Sequence, residues 1–194
     1  MACRFGSART RRVASAATQR VCQSGYIAVK DYAALIGDNE GVSSTHITRH
    51  INARREEVYG ALIDADAIAT WKVPTGMTAH VHSFESREGG TFRISLTYDA
   101  QTRKGKTSAR TDTYHGRFVE LVPNERVVEV DEFETADPAL RGEMTITITL
   151  SNADGGGTDL VAVHEDVPPG ISAADNEAGW QSALARLAAL VESR

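Results

Sequence analysis

Residues 91–98, TFRISLTY, alternate strictly. Phe92, Ile94, Leu96 and Tyr98 fall on one parity; Thr91, Arg93, Ser95 and Thr97 fall on the other. Successive side chains of a strand point to opposite faces, so this stretch is a strand with one dry and one wet face. The pattern recurs. Residues 77–86, 111–122, 126–134 and 143–151 read as further strands, the last with Met144, Ile146, Ile148 and Leu150 set against threonines. TDLVAVHED (158–166) is apolar on both parities, as a strand buried on both faces would be. Turn signals separate these runs: Gly89-Gly90, which permits a positive φ, the basic loop 101–110, Pro123-Asn124 and NADGGG (152–157).

Helical signals flank this block. THITRHINA (45–53) reads as a short strand anchored by Ile47 and Ile51, after which Asn52 is placed to cap a short helix through Ile63. Val58 with Leu62 and Tyr59 with Ile63 give that helix an apolar stripe. Asp64 caps a second short helix ending near Trp71, and KVPTG (72–76) breaks it. After VPPG (167–170), Ser172 opens a long helix with Asp175 three residues on, and Trp180, Leu184, Leu187 and Val191 mark its stripe. The order is β-α-α-β6-α, an α+β fold in which one long helix is left to cover a wide antiparallel sheet. A helix is about 10–12 Å across, whereas six strands at ~4.8 Å spacing are more than twice as wide. Large side chains must fill the remainder, or a cavity survives.

The chain has 194 residues, enough for one domain with an extension. The domain is expected over 45–194. Residues 1–44 show no sustained period and end in the linker-like GDNEGVSS (37–44). Residues 1–30 carry six cations and no acid, against a net charge of −5 for the chain, so the body carries −11. An acidic body argues against a nucleic-acid binder. The Arg-, Ser- and Ala-rich extension fits an organelle transit peptide, a disordered tail or a start assigned too early. No apolar run approaches the ~20 residues of a membrane span. Cys3 and Cys22 have no metal-site spacing, which points to a reducing, cytoplasmic setting.

WKVPTGM, REGGTFRISL, GRFVELVPNERVVEV, GGTDLVAVHEDVP and GWQSALARLAAL, in that order, resemble the START-like helix-grip (SRPBCC) superfamily. More narrowly, they resemble bacterial relatives of the C-terminal domain of the heat-shock-protein-90 ATPase activator. The resemblance spans residues 45–192. It implies a curved sheet gripping a long C-terminal helix, with a hydrophobic cavity between them. It also implies either a small-molecule ligand or a chaperone partner. The eukaryotic activator carries a separate chaperone-binding domain, for which residues 1–44 are too short and irregular.

On this reading the cavity is lined by Phe92, Leu96, Tyr98, Tyr114, Met144, Ile146, Trp180 and Leu184, and takes an apolar or amphipathic molecule. The alternative is a cyclase- or hydrolase-like enzyme in the same pocket, for which His164, Tyr98 and Asp131 are the catalytic candidates. There is no Gly-x-Ser-x-Gly elbow, and neither cysteine lies in the folded part, so no covalent nucleophile is indicated. Gly105-Lys106-Thr107 mimics the end of a P-loop, but position 100 is Ala and a strand follows, so it reads as a solvated loop. His80, His82 and His115 lack the spacing and second shell of a metal site and read as surface residues. No cofactor and no metal are expected.

Overall fold

A computed structural model describes residues 44–102 and 104–193. The expectations for the N-terminal extension, including Cys3 and Cys22, lie outside them. Strand β1 (Thr45–Ile51) leads into α1 (Arg55–Leu62) and α2 (Ala65–Trp71). Six strands follow: β2 (Met77–Phe84), β3 (Thr91–Tyr98), β4 (Thr111–Val122), β5 (Arg126–Phe133), β6 (Met144–Asn152) and β7 (Thr158–Glu165). A single 3-10 turn, Pro138–Leu140, sits between β5 and β6, and α3 (Ala173–Glu192) ends the fold. The sheet order is β1-β7-β6-β5-β4-β3-β2, all antiparallel. This is the α+β helix-grip arrangement, with β1 returning to pair with the last strand.

The alternation sets which face is dry. Phe92 and Ile94 of β3, Tyr114 and Phe118 of β4, Val127 of β5 and Ile146, Ile148 and Leu150 of β6 enter the core. Leu184, Leu187 and Val191 of α3 meet them there, with Val58, Leu62, Ile68 and Trp71 from the two short helices. The doubly apolar β7 is flanked by β1 and β6. Leu160, Ala162 and His164 are buried on one of its faces, and Val161 and Val163 on the other.

Helix entry differs at one point from the sequence reading. Asn52 does not cap α1; its side-chain oxygen lies 3.1 Å from His50 Nε2, and its backbone N–H donates to Glu192 at 2.8 Å. The helix starts later, from Arg54, whose backbone N–H donates to Glu57 Oε2 at 3.1 Å. Asp64 and Ser172 do cap α2 and α3, accepting from the N–H groups of Ala67 and Asp175 at 2.8 and 3.0 Å. At the hairpin between β2 and β3, Gly89 takes φ +70°, the left-handed region that glycine enters without cost.

The backbone of α3 packs against β1, α1 and α2. This draws the helix to one side of the concave face. β3, β4 and β5 are left without comparably close helical cover, and the candidate site lies beside them.

Candidate functional site

A cavity of about 680 Å³ opens between the N-terminal half of α3 and the inward faces of β3 to β6. Leu96 and Tyr98 come from β3, Asp112 and Tyr114 from β4, Asp131 and Phe133 from β5, and Met144 and Ile146 from β6. The helix contributes Asn176, Gly179, Trp180 and Ala183; the loop after α2 contributes Lys72, Pro74, Thr75 and Gly76, and β2 contributes Met77. Exposed Ala100, Lys104, Gly142, Gly170 and Asp175 stand at its mouth. Gly179 is informative because glycine inside a helix costs about 1 kcal/mol relative to alanine. A Cβ at this position would meet nothing within 4 Å, so the missing side chain only widens the cavity.

The buried end of the cavity is charged. Lys72, 8% exposed, extends its ammonium to Glu129, with which it makes a direct ion pair, and to Asp131 Oδ2 at 3.4 Å. The same ammonium lies 5.5 Å from the Phe92 ring centroid and 5.6 Å from those of Tyr114 and Trp180. Burial alone would pull the Lys72 pKa down, but Asp131 and Glu129 outweigh it and hold the amine charged. Glu129 takes the closer contact, leaving Asp131 poorly compensated. Burial, with Glu129 beside it, pushes the Asp131 carboxyl up to about 7 against the pull of Lys72. Its Oδ1 is sealed without a hydrogen-bond partner, packed over Gly116. Burial also raises the Tyr114 phenol, so that hydroxyl stays protonated.

Nearer the mouth, Asp112 accepts from the backbone N–H of Lys106 and, at 2.7 Å, from its ammonium. The Tyr98 hydroxyl approaches the same carboxylate at 3.5 Å. The loop that mimicked a P-loop is thus tied down by a buried aspartate.

Of the residues expected to line the cavity, Leu96, Tyr98, Tyr114, Met144, Ile146 and Trp180 do so. Phe92 and Leu184 do not; both are buried in the core, Phe92 beneath Phe84 and Phe118. Among the catalytic candidates, Asp131 and Tyr98 reach the cavity and His164 does not. His164 is fully buried, edge-on to Trp180 at 4.4 Å, and its Nδ1 lies 2.9 Å from Asn176 Nδ2. Asn176 also donates to Thr45 Oγ1 at 3.1 Å. Burial and nearby Lys72 push the His164 pKa down to about 3. The ring is therefore neutral, and the Asn176 donor assigns its proton to Nε2. His164 ties β7 to α3 behind the cavity wall. On the outer face His80 packs edge-on against His82, which bonds Ser95 at 2.8 Å, and His115 lies 3.8 Å from Glu134.

Sequence reasoning missed Lys72. A lysine just after a helix end looks like a solvated C-terminal cation. The available signal lay in the strand opposite: Glu129 and Asp131 share their parity with Val127 and Phe133, so one face of β5 buries two acids among apolar residues. Such a pair demands a buried cation.

Residues 52–192 match the family model described as activator of Hsp90 ATPase homolog 1-like protein. The chain belongs to this family. A crystal structure of a protein from Chromobacterium violaceum superposes with a TM-score of 0.69 at 36% identity, covering 77% of this chain and 96% of that one. A protein from Rhodobacter sphaeroides gives 0.64 at 21%, covering 78% and 93%, and a solution structure from Arthrobacter aurescens gives 0.62 at 15%, covering 78% and 87%. The last two share the fold. A comparison with curated proteins finds no significant match. Among the described residues of this family member, no helix is long and apolar enough to cross a membrane.

Proposed function

We propose that this member of the Hsp90-activator-homolog family binds an apolar or amphipathic small molecule in the cavity between the sheet and α3. Leu96, Tyr98, Tyr114, Met144, Ile146 and Trp180 serve as contacts, within a domain spanning residues 45–194 and acting in the cytoplasm. The observation that carries this reading is the cavity itself. About 680 Å³ lies within the ~300–1,000 Å³ range of small-molecule sites, and apolar side chains share its walls with charged and polar ones, Lys72, Lys106, Asp112 and Asp131 among them. Gly179 supports it, because the helix gives up stability there to keep the space open.

The test is a thermal-shift screen of lipids and aromatic compounds, followed by native mass spectrometry. A ligand present at 100 times its Kd stabilises the folded state by about 2.7 kcal/mol, a shift of several degrees. Gly179→Leu should fold, intrude into the space beside α3 and reduce the shift. A screen in which no apolar compound moves the transition overturns the reading, as does a Gly179→Leu variant that binds unchanged.

The family description favours a second reading, a chaperone-activator-type interaction module. Stimulation of the cognate chaperone's ATPase, undiminished in Gly179→Leu, would support it over ligand binding. Turnover in the same cavity would fall to Asp131, whose carboxyl burial pushes up to about 7.

A further inference from the structure

The mouth of the cavity narrows the ligand class, and this step rests on the cavity reading above. Gly105-Lys106-Thr107, expected as a solvated loop, is fixed in place. Thr107 Oγ1 donates to the Thr111 carbonyl at 2.7 Å and accepts from the Thr113 N–H at 2.8 Å. Thr135 Oγ1 donates to the Lys106 carbonyl at 3.0 Å, and the Lys106 backbone N–H donates to Asp112. A Cβ on Gly105 would lie 2.3 Å from the Thr111 nitrogen, so only glycine lets the loop lie this close. The Lys106 ammonium is thereby held 2.7 Å from Asp112 Oδ2 and 5.6 Å from the Phe133 ring centroid, at the cavity wall. The Tyr98 hydroxyl lies 3.5 Å from that same oxygen. This is the outer limit of a hydrogen bond, so the hydroxyl can turn to a better acceptor. Sharing one oxygen as neighbour places the ammonium and the hydroxyl close enough to be bonded by one carboxylate head.

Exposure separates the two charges of the pair. The Lys106 side chain is 34% exposed and that of Asp112 3%, so a molecule at the mouth reaches the cation and not the carboxylate. Lys106 keeps two further N–H donors. Lys104, exposed at the same mouth, bonds no described residue and adds a second cation. Two acids also border the cavity: Glu132 accepts from the Gly142 N–H at 3.3 Å and Asp175 from the Ser172 hydroxyl at 2.7 Å, and neither pairs with a lysine. At the buried end Lys72 is already engaged by Glu129 and Asp131. We infer that the cavity selects an amphipathic molecule with an anionic head, a carboxylate or an equivalent oxyanion, held at the mouth by the Lys106 ammonium and the Tyr98 hydroxyl. Its apolar body lies inward, among Leu96, Met144, Ile146 and Trp180.

Three probes with one tail separate the outcomes: decanoate, decanol and decyltrimethylammonium, titrated by calorimetry below their micelle concentrations. The protein is wild type, the double variant Lys106→Met with Asp112→Asn, and Tyr98→Phe. The double variant leaves the net charge unchanged and strands no buried carboxylate, so a loss confined to the anion reports a local contact. Decanoate should outbind decyltrimethylammonium in wild type. The double variant should weaken decanoate at least about tenfold, the worth of a hydrogen bond between charged groups, and leave decyltrimethylammonium within about twofold. Tyr98→Phe keeps the ring and should weaken decanoate about fivefold; it provides the same comparison if the double variant fails to fold. Equal losses for anion and cation, or a cation that outbinds the anion in wild type, overturn the inference and leave the cavity reading standing. Absence of binding by all three probes, with a flat screen, overturns both.

Discussion

At the scale of single residues, Lys72 bears the greatest consequence. Removing one partner of a buried ion pair strands the other charge in a medium that cannot solvate it, at a cost of about 3–5 kcal/mol. Lys72→Met should therefore lower stability by about that amount in urea unfolding at neutral pH. Lys72→Met with Glu129→Gln and Asp131→Asn should recover most of it, because the neutral set strands no charge. Two buried groups also oppose one another in pH. Asp131 has its folded pKa raised to about 7 above an unfolded value near 4; the stability it supplies is present below pH ~4 and lost as pH rises toward 7. His164 is lowered to about 3 from about 6.5, so its stability is present above pH ~6.5 and lost as pH falls. Between pH ~4 and ~6.5 the two slopes oppose. Asp131→Asn should make stability rise with pH across this window, and His164→Gln should make it fall, by chemical unfolding at fixed ionic strength. A shared, unchanged slope in both variants would contradict the burial assigned to these groups. Residue roles were the least legible part of the sequence. Tyr114 was legible as a lining residue and Asp131 as a polar candidate for the pocket, whereas the burial of Lys72 depends on which loop closes over it.

At the scale of elements, two glycines mark opposite demands, and the same substitution should act on them with opposite signs. Gly116 sits in mid-strand opposite Asp131. A Cβ there would lie 2.5 Å from Asp131 Oδ1 and from Phe92 Cζ, and 2.6 Å from the Val130 carbonyl oxygen. Gly116→Ala must push a buried carboxyl, a packed ring and a strand backbone apart, and should cost about 1–3 kcal/mol. Gly179→Ala, on a helix facing open space, should instead stabilise by about 1 kcal/mol. Thermal unfolding of both variants tests the pair; two losses would mean that the space beside Gly179 is filled. The elements themselves were largely legible. Period-2 alternation with turn residues between runs located the strands of the meander, and 3.6-residue stripes located the helices, because each buries one face against the same core. The start of α1 was misplaced because the polar side chain of Asn52 was equally able to bond His50, a strand neighbour, and did so. Local capping chemistry cannot see that competition.

At the scale of the whole molecule, the mismatch between a wide sheet and one narrow helix was already contained in the strand count. What the pattern could not fix was the side on which the shortfall would appear. That is set by α1 and α2, which with β1 claim the backbone of α3 and pull it off centre. Phe92 and Leu184 share a parity or stripe with lining residues but are buried elsewhere in the core, Phe92 against Phe84, Tyr114 and Phe118, and Leu184 among the buried residues of the second half of α3. The same asymmetry divides α3. Ala183, Leu184, Leu187, Ala188 and Val191 are buried, whereas Ala173, Ala174, Asp175, Glu177 and Ala178 are exposed. The first half is held by discrete polar ties, Asn176 to Thr45 and His164, and Ser182 to Thr75 at 2.9 Å. Local opening tracks buried apolar contact, so amides of residues 177–181 should exchange at least about tenfold faster than those of 187–191 in the unliganded protein. A ligand in the cavity bridges that first half to β3 and β6 and should slow its exchange, leaving the second half near its original rate. Hydrogen–deuterium exchange with and without a binding probe reads both changes. Uniform protection along α3 would mean that the helix is gripped along its whole length, and that the wall it gives the cavity is held as firmly as the core.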